Sequence, residues 1–352
     1  MVRIGDRVIG EDQAVYIIAE LSANHGGDIN RAKEIIRQAK AAGADAVKLQ
    51  TYRADTITLD CSHSDFRLPQ KSAWVAHETL YSLYEKAHTP WEWHQALFDE
   101  AKSIGIDIFS SPFDATAVDL LESLGAPAYK IASPEITDIP LLKYVARTGK
   151  PVILSTGIAT LEDIELAVAT LRNHGCDELV ILKCTTAYPT PYEECNLLTI
   201  PDLAKRFSCI AGLSDHTLGL ASPITATALG AKVIEKHFIL DKTHDSVDGF
   251  FSLDEQEFRQ MVTEVRNAEK ALGKVSYQIT AEAQKNMLAR RSLYFSKSMK
   301  AGDVITESTV RSVRPGFGLH PKYYEQILGL KVVQDVEFGD RVSAETIQGF
   351  EV

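Results

Sequence analysis

From Val15 to about Gly273 the chain alternates short β-branched runs with stretches whose apolar residues recur every three or four positions. This is the pattern of a parallel α/β fold, in which each strand is followed by a helix that packs back onto the sheet. Strands are predicted at Tyr16–Leu21, Ala46–Thr51, Asp107–Ser111, Ala128–Ala132, Pro151–Ser155, Leu179–Thr185, Ile210–Ser214 and Val233–Phe238. Between the first two, Ile29–Ala42 sets Ala32, Ile35, Ile36 and Ala39 at helical spacing and is followed by Gly43 as a stop signal. Eight such units suggest a closed (β/α)8, or TIM, barrel. An open doubly wound sheet is the alternative, weakened because no Gly-x-Gly-x-x-Gly follows the first strand.

Two segments break the rhythm. Arg53–Trp93, after the second strand, is too long for an ordinary connection and holds acids, histidines and aromatics; over a barrel mouth it would serve as a lid or substrate-recognition element. Lys274–Arg290 is polar and partly helical in pattern, and from Arg291 short alternating runs are separated by turns such as Lys300-Ala301-Gly302-Asp303. The expected organisation is therefore a catalytic barrel over residues 1–273, a linker over 274–290 and a small, mainly β module over 291–352.

Composition is that of an ordinary globular protein, with a net charge of −11. Such a balance argues against nucleic acid or an anionic membrane as partner, since both require a basic surface. Five cysteines, Cys61, Cys176, Cys184, Cys195 and Cys209, follow no metal-ligand spacing and read as reduced thiols. The first residues contain no signal-like apolar run and no transmembrane span is visible, so a cytoplasmic location is expected.

Nearly every predicted strand ends in polar residues. They are Glu20, then Ser22, Asn24 and His25; Lys48 and Gln50; Ser110 and Ser111; Lys130 and Ser133; Ser155; Lys183, Thr185 and Thr186; Ser214, Asp215 and His216; Glu235, Lys236 and His237. In a barrel these ends form the catalytic rim. Ser111, Ser133, Ser155 and Ser214 as neutral donors, with Lys48 and Lys130 as cations, suit a phosphate. Any one of these serines alone would more ordinarily be a turn residue or helix cap.

His216 and His237 stand at the ends of adjacent predicted strands, about one β/α unit apart. Two imidazoles with open positions suit a divalent metal completed by water, Glu20 or substrate, and each alone could be only a hydrogen-bonding group. Without a thiolate the pair does not select Zn²⁺, and Mn²⁺, Mg²⁺ or Co²⁺ as an aldehyde-polarising Lewis acid fits. His63, His77, His88, His94, His174, His244 and His320 lack such a frame and are read as surface or loop residues.

Read in order, the strand-end strings resemble the sialic acid synthase family, enzymes that condense phosphoenolpyruvate with an N-acetylated amino sugar. The matching strings include Ile18-Ala19-Glu20 with Asn24-His25, Lys48-Leu49-Gln50-Thr51, Ser111-Pro112-Phe113, Tyr129-Lys130-Ile131-Ala132-Ser133, Leu154-Ser155-Thr156-Gly157, Tyr188-Pro189-Thr190-Pro191, Leu213-Ser214-Asp215-His216-Thr217 and Glu235-Lys236-His237-Phe238. The tail from Arg291, with Arg314-Pro315-Gly316, resembles the family's antifreeze-like (SAF, β-clip) module. Within the family the likeness is to the branch that makes pseudaminic acid, through Ala19-Glu20-Leu21-Ser22-Ala23-Asn24-His25 and Gly318-Leu319-His320-Pro321-Lys322. Thr186 and Lys183 depart from the serine and histidine that neuraminate synthases tend to carry there.

The resemblance implies a transferase acting on phosphoenolpyruvate and 2,4-diacetamido-2,4,6-trideoxy-L-altrose, with a neuraminic or legionaminic acid synthase as the near alternative. A metal-dependent barrel hydrolase or aldolase is the alternative from another class; a carbohydrate- or ice-binding protein would need a flat Thr-rich face that residues 291–352 do not offer. By the same resemblance Glu20, His216, His237 and Arg314 are catalytic, with the two histidines holding the metal. Lys48, Gln50, Ser111, Lys130, Ser133, Ser155, Thr186 and Ser214 surround phosphoenolpyruvate, and Tyr188, Asp248 and Arg314 face the sugar. Arg314 would serve the site of a second copy, giving a domain-swapped homodimer. A sugar without a C6 hydroxyl should meet an apolar wall, for which Arg53–Trp93 is the candidate.

Overall fold

The computed structural model describes residues 1–68, 74, 78–243 and 246–352. They form two compact units, Met1–Gly273 and Lys274–Val352. The first opens with a hairpin that the hydrophobic pattern did not reveal, β1 (Val2–Ile4) paired antiparallel with β2 (Arg7–Ile9). Eight parallel strands follow: β3 (Tyr16–Glu20), β4 (Ala46–Thr51), β5 (Asp107–Pro112), β6 (Tyr129–Ile131), β7 (Val152–Ser155), β8 (Leu179–Cys184), β9 (Ile210–Asp215) and β10 (Val233–His237). They close in the order β10-β3-β4-β5-β6-β7-β8-β9, and the β10–β3 pairing rules out the open-sheet alternative.

The strands alternate with a period of two between barrel interior and helical layer. Tyr16, Ile18, Ala46, Phe109, Ile153, Val180 and Val233 point inward and pack with Val2, Ile4 and Ile9 of the hairpin, which closes the lower end. The intervening residues, such as Ile17, Val47, Ile108, Leu154 and Ile234, join the core beneath the helices. Interior space is tight. At Gly212 an added Cβ would stand 2.3 Å from the Val233 carbonyl oxygen.

The helices have clear local causes. For α1 (Ile29–Ala42), Asp28 caps the start by accepting from the Asn30 amide at 2.8 Å. Its buried stripe is Ala32, Ile35, Ile36, Ala39 and Ala42, and Gly43 ends it at φ +100°, a conformation that favours glycine. After β4 come two short helices, α2 (Ala54–Ile57) and α3 (Leu80–Ala87), within the long segment read as a lid.

In the same alternation Asp215 and Lys236, neighbours in register on β9 and β10, turn away from the interior. Their buried pair, 2.6 Å apart, is completed by Thr217. It pins the two strands that carry the histidines, and removing one partner would strand a buried charge at a cost of about 3–5 kcal/mol. His94, expected at the surface, is buried, with Nε2 2.8 Å from the Thr51 hydroxyl. His77 and His244 lie outside the described residues.

The second unit begins with a short helix, Ala281–Gln284, and a 3-10 turn, Met287–Ala289. It then pairs β11 (Ser292–Phe295) antiparallel with β12 (Val310–Val313) over a separate core that includes Leu293, Phe295, Ile305, Val332 and Val342. Isolated bridges such as Met299↔Val336 and Val332↔Ile347 extend this mainly β arrangement.

Candidate active site

Along each barrel strand the inward positions change from apolar to polar toward the C-terminal end. Ile18 gives way to Glu20, Ala46 to Lys48 and Gln50, Phe109 to Ser111, Ile153 to Ser155, and Val233 to Glu235 and His237. The cavity above this polar layer encloses about 540 Å³. Of the predicted site residues in the first unit, Glu20, Lys48, Gln50, Lys130, Ser133, Ser155, Thr186, Tyr188, Ser214, His216, His237 and Asp248 line it. Ser111 lies behind the lining, 3.4 Å from Lys48 Nζ. Arg314 belongs to the second unit, where it is exposed just after β12.

Lys183 faces away from the interior by the period-two rule, with its ammonium on the Cys184 carbonyl at 2.6 Å. Asn24 and His25 are structural. Asn24 Nδ2 donates to the Phe238 carbonyl and the Ser252 hydroxyl, both at 2.9 Å, while His25 is buried edge-on to Trp93. Burial lowers His25 to about 4, so it is neutral.

Four ionisable groups converge on the cavity floor. Lys48 pairs with Glu20, its neighbour in register, and lies 3.8 Å from Glu235. Lys130 reaches Glu235 at 3.5 Å, and Ser214 donates to the same carboxylate at 2.7 Å. The surroundings drive the two acids apart. Burial raises Glu20 to about 7, against the opposing pull of Lys48. Glu235 is held below the ordinary range although burial pushes it up, because Lys130, Lys48 and the Ser214 hydroxyl all favour its charge. Two carboxyls separated in this way supply a fixed anion and a group that exchanges its proton near neutrality.

Around them stand buried polar atoms without a hydrogen-bond partner: Ser155 Oγ, Thr186 Oγ1 and His237 Nδ1. Buried polar groups in a folded protein are ordinarily satisfied, so three outside the carboxyls at one cavity mark a place where a ligand's atoms belong. Ser133 Oγ accepts the Gly157 amide at 2.9 Å, which holds that hydroxyl beside the other two.

The rings of His216 and His237 lie 5.3 Å apart. His216 Nδ1 sits 3.1 Å from the Thr185 carbonyl oxygen, which makes Nδ1 the donor and leaves Nε2 as the nitrogen a cation would use. Although burial opposes it, Cys184 and the Thr185 carbonyl raise His216, so a cation at Nε2 would displace a proton. Burial, followed by the neighbouring His216 and Lys48, lowers His237, which is therefore neutral and offers a lone pair. Two imidazoles, one with an unpartnered nitrogen, fit a divalent cation. Among the described residues no group of three or more His, Cys, Asp or Glu side chains is arranged to hold a metal. The remaining coordination positions would therefore fall to substrate and water.

Tyr188 packs against His216 at 4.5 Å between ring centroids and against Phe251 at 4.9 Å. Burial raises its phenol, keeping it a neutral donor. Asp248 accepts from Ser22, and burial raises it as well.

Reading the strand ends placed Glu235 on the rim without giving it a role, and did not single out Cys184, Glu135 or Phe251. The period-two alternation exposes the first two, since Glu235 is two residues before His237 and Cys184 two before Thr186. Burial, opposed by His216 and other neighbours, leaves the Cys184 thiol lowered to about 7. Glu135 and Phe251 lie in turns where no periodicity points at the cavity.

A parallel barrel whose mouth combines two lysines, unpartnered hydroxyls, two histidines and two differentiated carboxyls defines an enzyme of the barrel-mouth class. Residues 35–277 match the NeuB family model and residues 290–348 the SAF domain model, and the chain belongs to the NeuB family. It is 47% identical over 329 residues to a pseudaminic acid synthase of Campylobacter jejuni subsp. jejuni, covering 94% of this chain and 95% of the relative. It is 44% identical over 337 residues to a pseudaminic acid synthase of Helicobacter pylori, covering 96% and 98%. Among solved structures, an N-acetylneuraminic acid synthetase from Leptospira borgpetersenii superposes with a TM-score of 0.71 at 31% identity, covering 81% of this chain and 94% of the other.

Proposed function

We propose that this protein condenses phosphoenolpyruvate with 2,4-diacetamido-2,4,6-trideoxy-L-altrose and water to give pseudaminic acid and phosphate. The observation that carries the chemistry is the juxtaposition, in one cavity, of Lys48 and Lys130 with the unpartnered Ser155 and Thr186 hydroxyls and the His216–His237 pair. The choice of sugar rests on the likeness to the Campylobacter and Helicobacter enzymes.

Lys48 and Lys130 bind the phosphate and carboxylate charge of phosphoenolpyruvate, with Ser133, Ser155 and Thr186 as neutral donors and Gln50, Ser111 and Ser214 setting the lysine and carboxylate positions. His216 and His237 would hold a divalent metal, Mn²⁺ by preference with Mg²⁺ or Co²⁺ as substitutes. When bound it supplies Lewis-acid polarisation of the sugar's C1 aldehyde. C3 of phosphoenolpyruvate bonds to that carbon as the aldehyde π pair moves onto its oxygen, which takes a proton and becomes a hydroxyl, leaving positive charge at C2. The fixed anion of Glu235 lies where it stabilises that charge, and Glu20 takes the proton released as water adds to C2. The C2–O bond to phosphate then breaks and phosphate leaves. Tyr188 and Asp248 orient the sugar from the mouth.

Arg314 is assigned to sugar recognition in a homodimer whose second units serve the partner's cavity, and the setting to the cytoplasm, where phosphoenolpyruvate is available. Among the described residues no helix is long and apolar enough to cross a membrane. The test is phosphate release from phosphoenolpyruvate and Mn²⁺ with the L-altrose derivative, the corresponding 2,4-diacetamido mannose derivative and N-acetylmannosamine. Turnover confined to the L-altrose derivative is expected; turnover confined to either of the others would overturn the assignment.

A further inference from the structure

One side of the cavity plays no part in the steps above. Ile57 at the end of α2, Leu80 and Leu83 of α3, and Phe113 just after β5 line it together. Leu83 is only 6% exposed, and Tyr52, which also lines the cavity as does Tyr84, packs edge-on against Phe113 at 5.1 Å and against Tyr84 at 5.7 Å. The side chains of Ile57, Leu80, Leu83 and Phe113 themselves offer a hydroxyl none of the hydrogen bonds it would lose on leaving water.

The position of the wall identifies which part of a sugar it meets. In the closed ring of eight strands, β5 is the fourth from β9 in either direction and stands opposite it. His216 follows β9 immediately, so Phe113 faces the histidines across the mouth. An open-chain hexose held by C1 at the histidines has C6 as its far end. Resting on the proposed function, we infer that the wall of Ile57, Leu80, Leu83 and Phe113 is a specificity subsite for the C6 methyl group of a 6-deoxy sugar, selecting against sugars with a C6 hydroxyl. Glu135 borders the wall with an unpartnered buried oxygen, and is the group that could serve a hydroxyl there instead.

The test compares kcat/KM for three sugars, with phosphate release as readout: the L-altrose derivative, N-acetylmannosamine and 6-deoxy-N-acetylmannosamine. The last two differ only at C6, so their ratio isolates that carbon from the 4-acetamido group. The wild-type enzyme should prefer the 6-deoxy member of this pair by roughly 10- to 100-fold, the range set by one methyl or hydroxyl in an apolar pocket. Leu83→Asn should bring that ratio toward one while the KM for phosphoenolpyruvate stays unchanged. Ile57→Thr, a milder change at a half-buried site, should move the ratio the same way, and guards against a folding defect in the first variant. A wild-type ratio of one, or variants that slow both sugars by the same factor, would overturn the wall assignment. If the wild-type enzyme turns over N-acetylmannosamine but not the L-altrose derivative, it is the proposed function that fails.

Discussion

Ser214 and Glu235 are partners in register on β9 and β10, and the Ser214 hydroxyl donates to Glu235 Oε1 at 2.7 Å. This bond, with Lys48 and Lys130 on the other side of the carboxylate, keeps Glu235 charged where burial alone would neutralise it. The cavity therefore holds a permanent anion beneath the site that binds an anionic substrate. Besides balancing Lys48 and Lys130, that anion would stabilise the positive charge that develops at C2 in the proposed reaction.

Glu235→Gln retains shape and removes the charge, so phosphoenolpyruvate should bind at least as well while kcat falls by roughly 10²–10³-fold, the usual loss for a preorganised electrostatic group. Ser214→Ala removes one hydrogen bond but leaves the charge with its two lysines, and should lower kcat by roughly 10-fold, the low end of about 1.5–3 kcal/mol for a bond to a charged group. Steady-state phosphate release separates the two. Equal losses, or a KM effect alone in Glu235→Gln, would contradict the role.

Glu20, raised to about 7, is neutral in acid and charged in base. As the group that takes the proton from water it works as the carboxylate, so kcat should fall below about pH 7 with a slope of at most one. Glu20→Gln should flatten this limb while lowering kcat. A limb that persists unchanged in the variant would assign it to another group.

Glu135 is raised to about 7 by burial. A group whose folded pKa lies above its unfolded value near 4.5 contributes stability that is complete below that value and lost as pH rises through 7. Glu135→Gln should match the wild-type protein near pH 4.5 and exceed it by about 1–3 kcal/mol at pH 8. Thermal melting across this range would show it, and parallel curves would exclude it.

Loss of either imidazole leaves one ligand for the cation. His216→Ala and His237→Ala should each weaken Mn²⁺ binding by at least about 10- to 100-fold, measured by titration calorimetry without substrate, and phosphate release should vanish. Undiminished Mn²⁺ affinity in both variants would remove the metal from this site.

Arg314→Ala and His237→Ala should each be inactive alone. If second units serve partner cavities, a mixed dimer contains one cavity with neither lesion, and co-refolding should restore phosphate release. No recovery in a preparation shown to contain heterodimers would eliminate the exchanged arrangement.

Much of this protein was legible before its fold was seen. The eight strands were readable because their buried, β-branched runs recur between amphipathic helices, and Gly43 marked the end of α1 because only its left-handed backbone closes that turn. The rim residues were readable because polar side chains recur at the end of nearly every strand, although Asn24, His25, Lys183, Asp215 and Lys236 among them serve the fold. The β1–β2 hairpin escaped notice because three-residue strands carry too little periodicity, and His94 because its burial depends on contacts made by a distant Thr51.

The sequence by itself determined the barrel and, through its period of two, which side chains point into its mouth. Tertiary structure alone decided how the charges divide. Glu20 and Glu235 are the same residue type at equivalent strand ends, and differ because their distances to Lys48, Lys130 and Ser214 differ. It also brought Ile57, Leu83 and Phe113 into one wall from three separate segments. Local periodicity is written in near neighbours along the chain. Electrostatic balance and cavity shape depend on distances through space, which only the closed barrel sets.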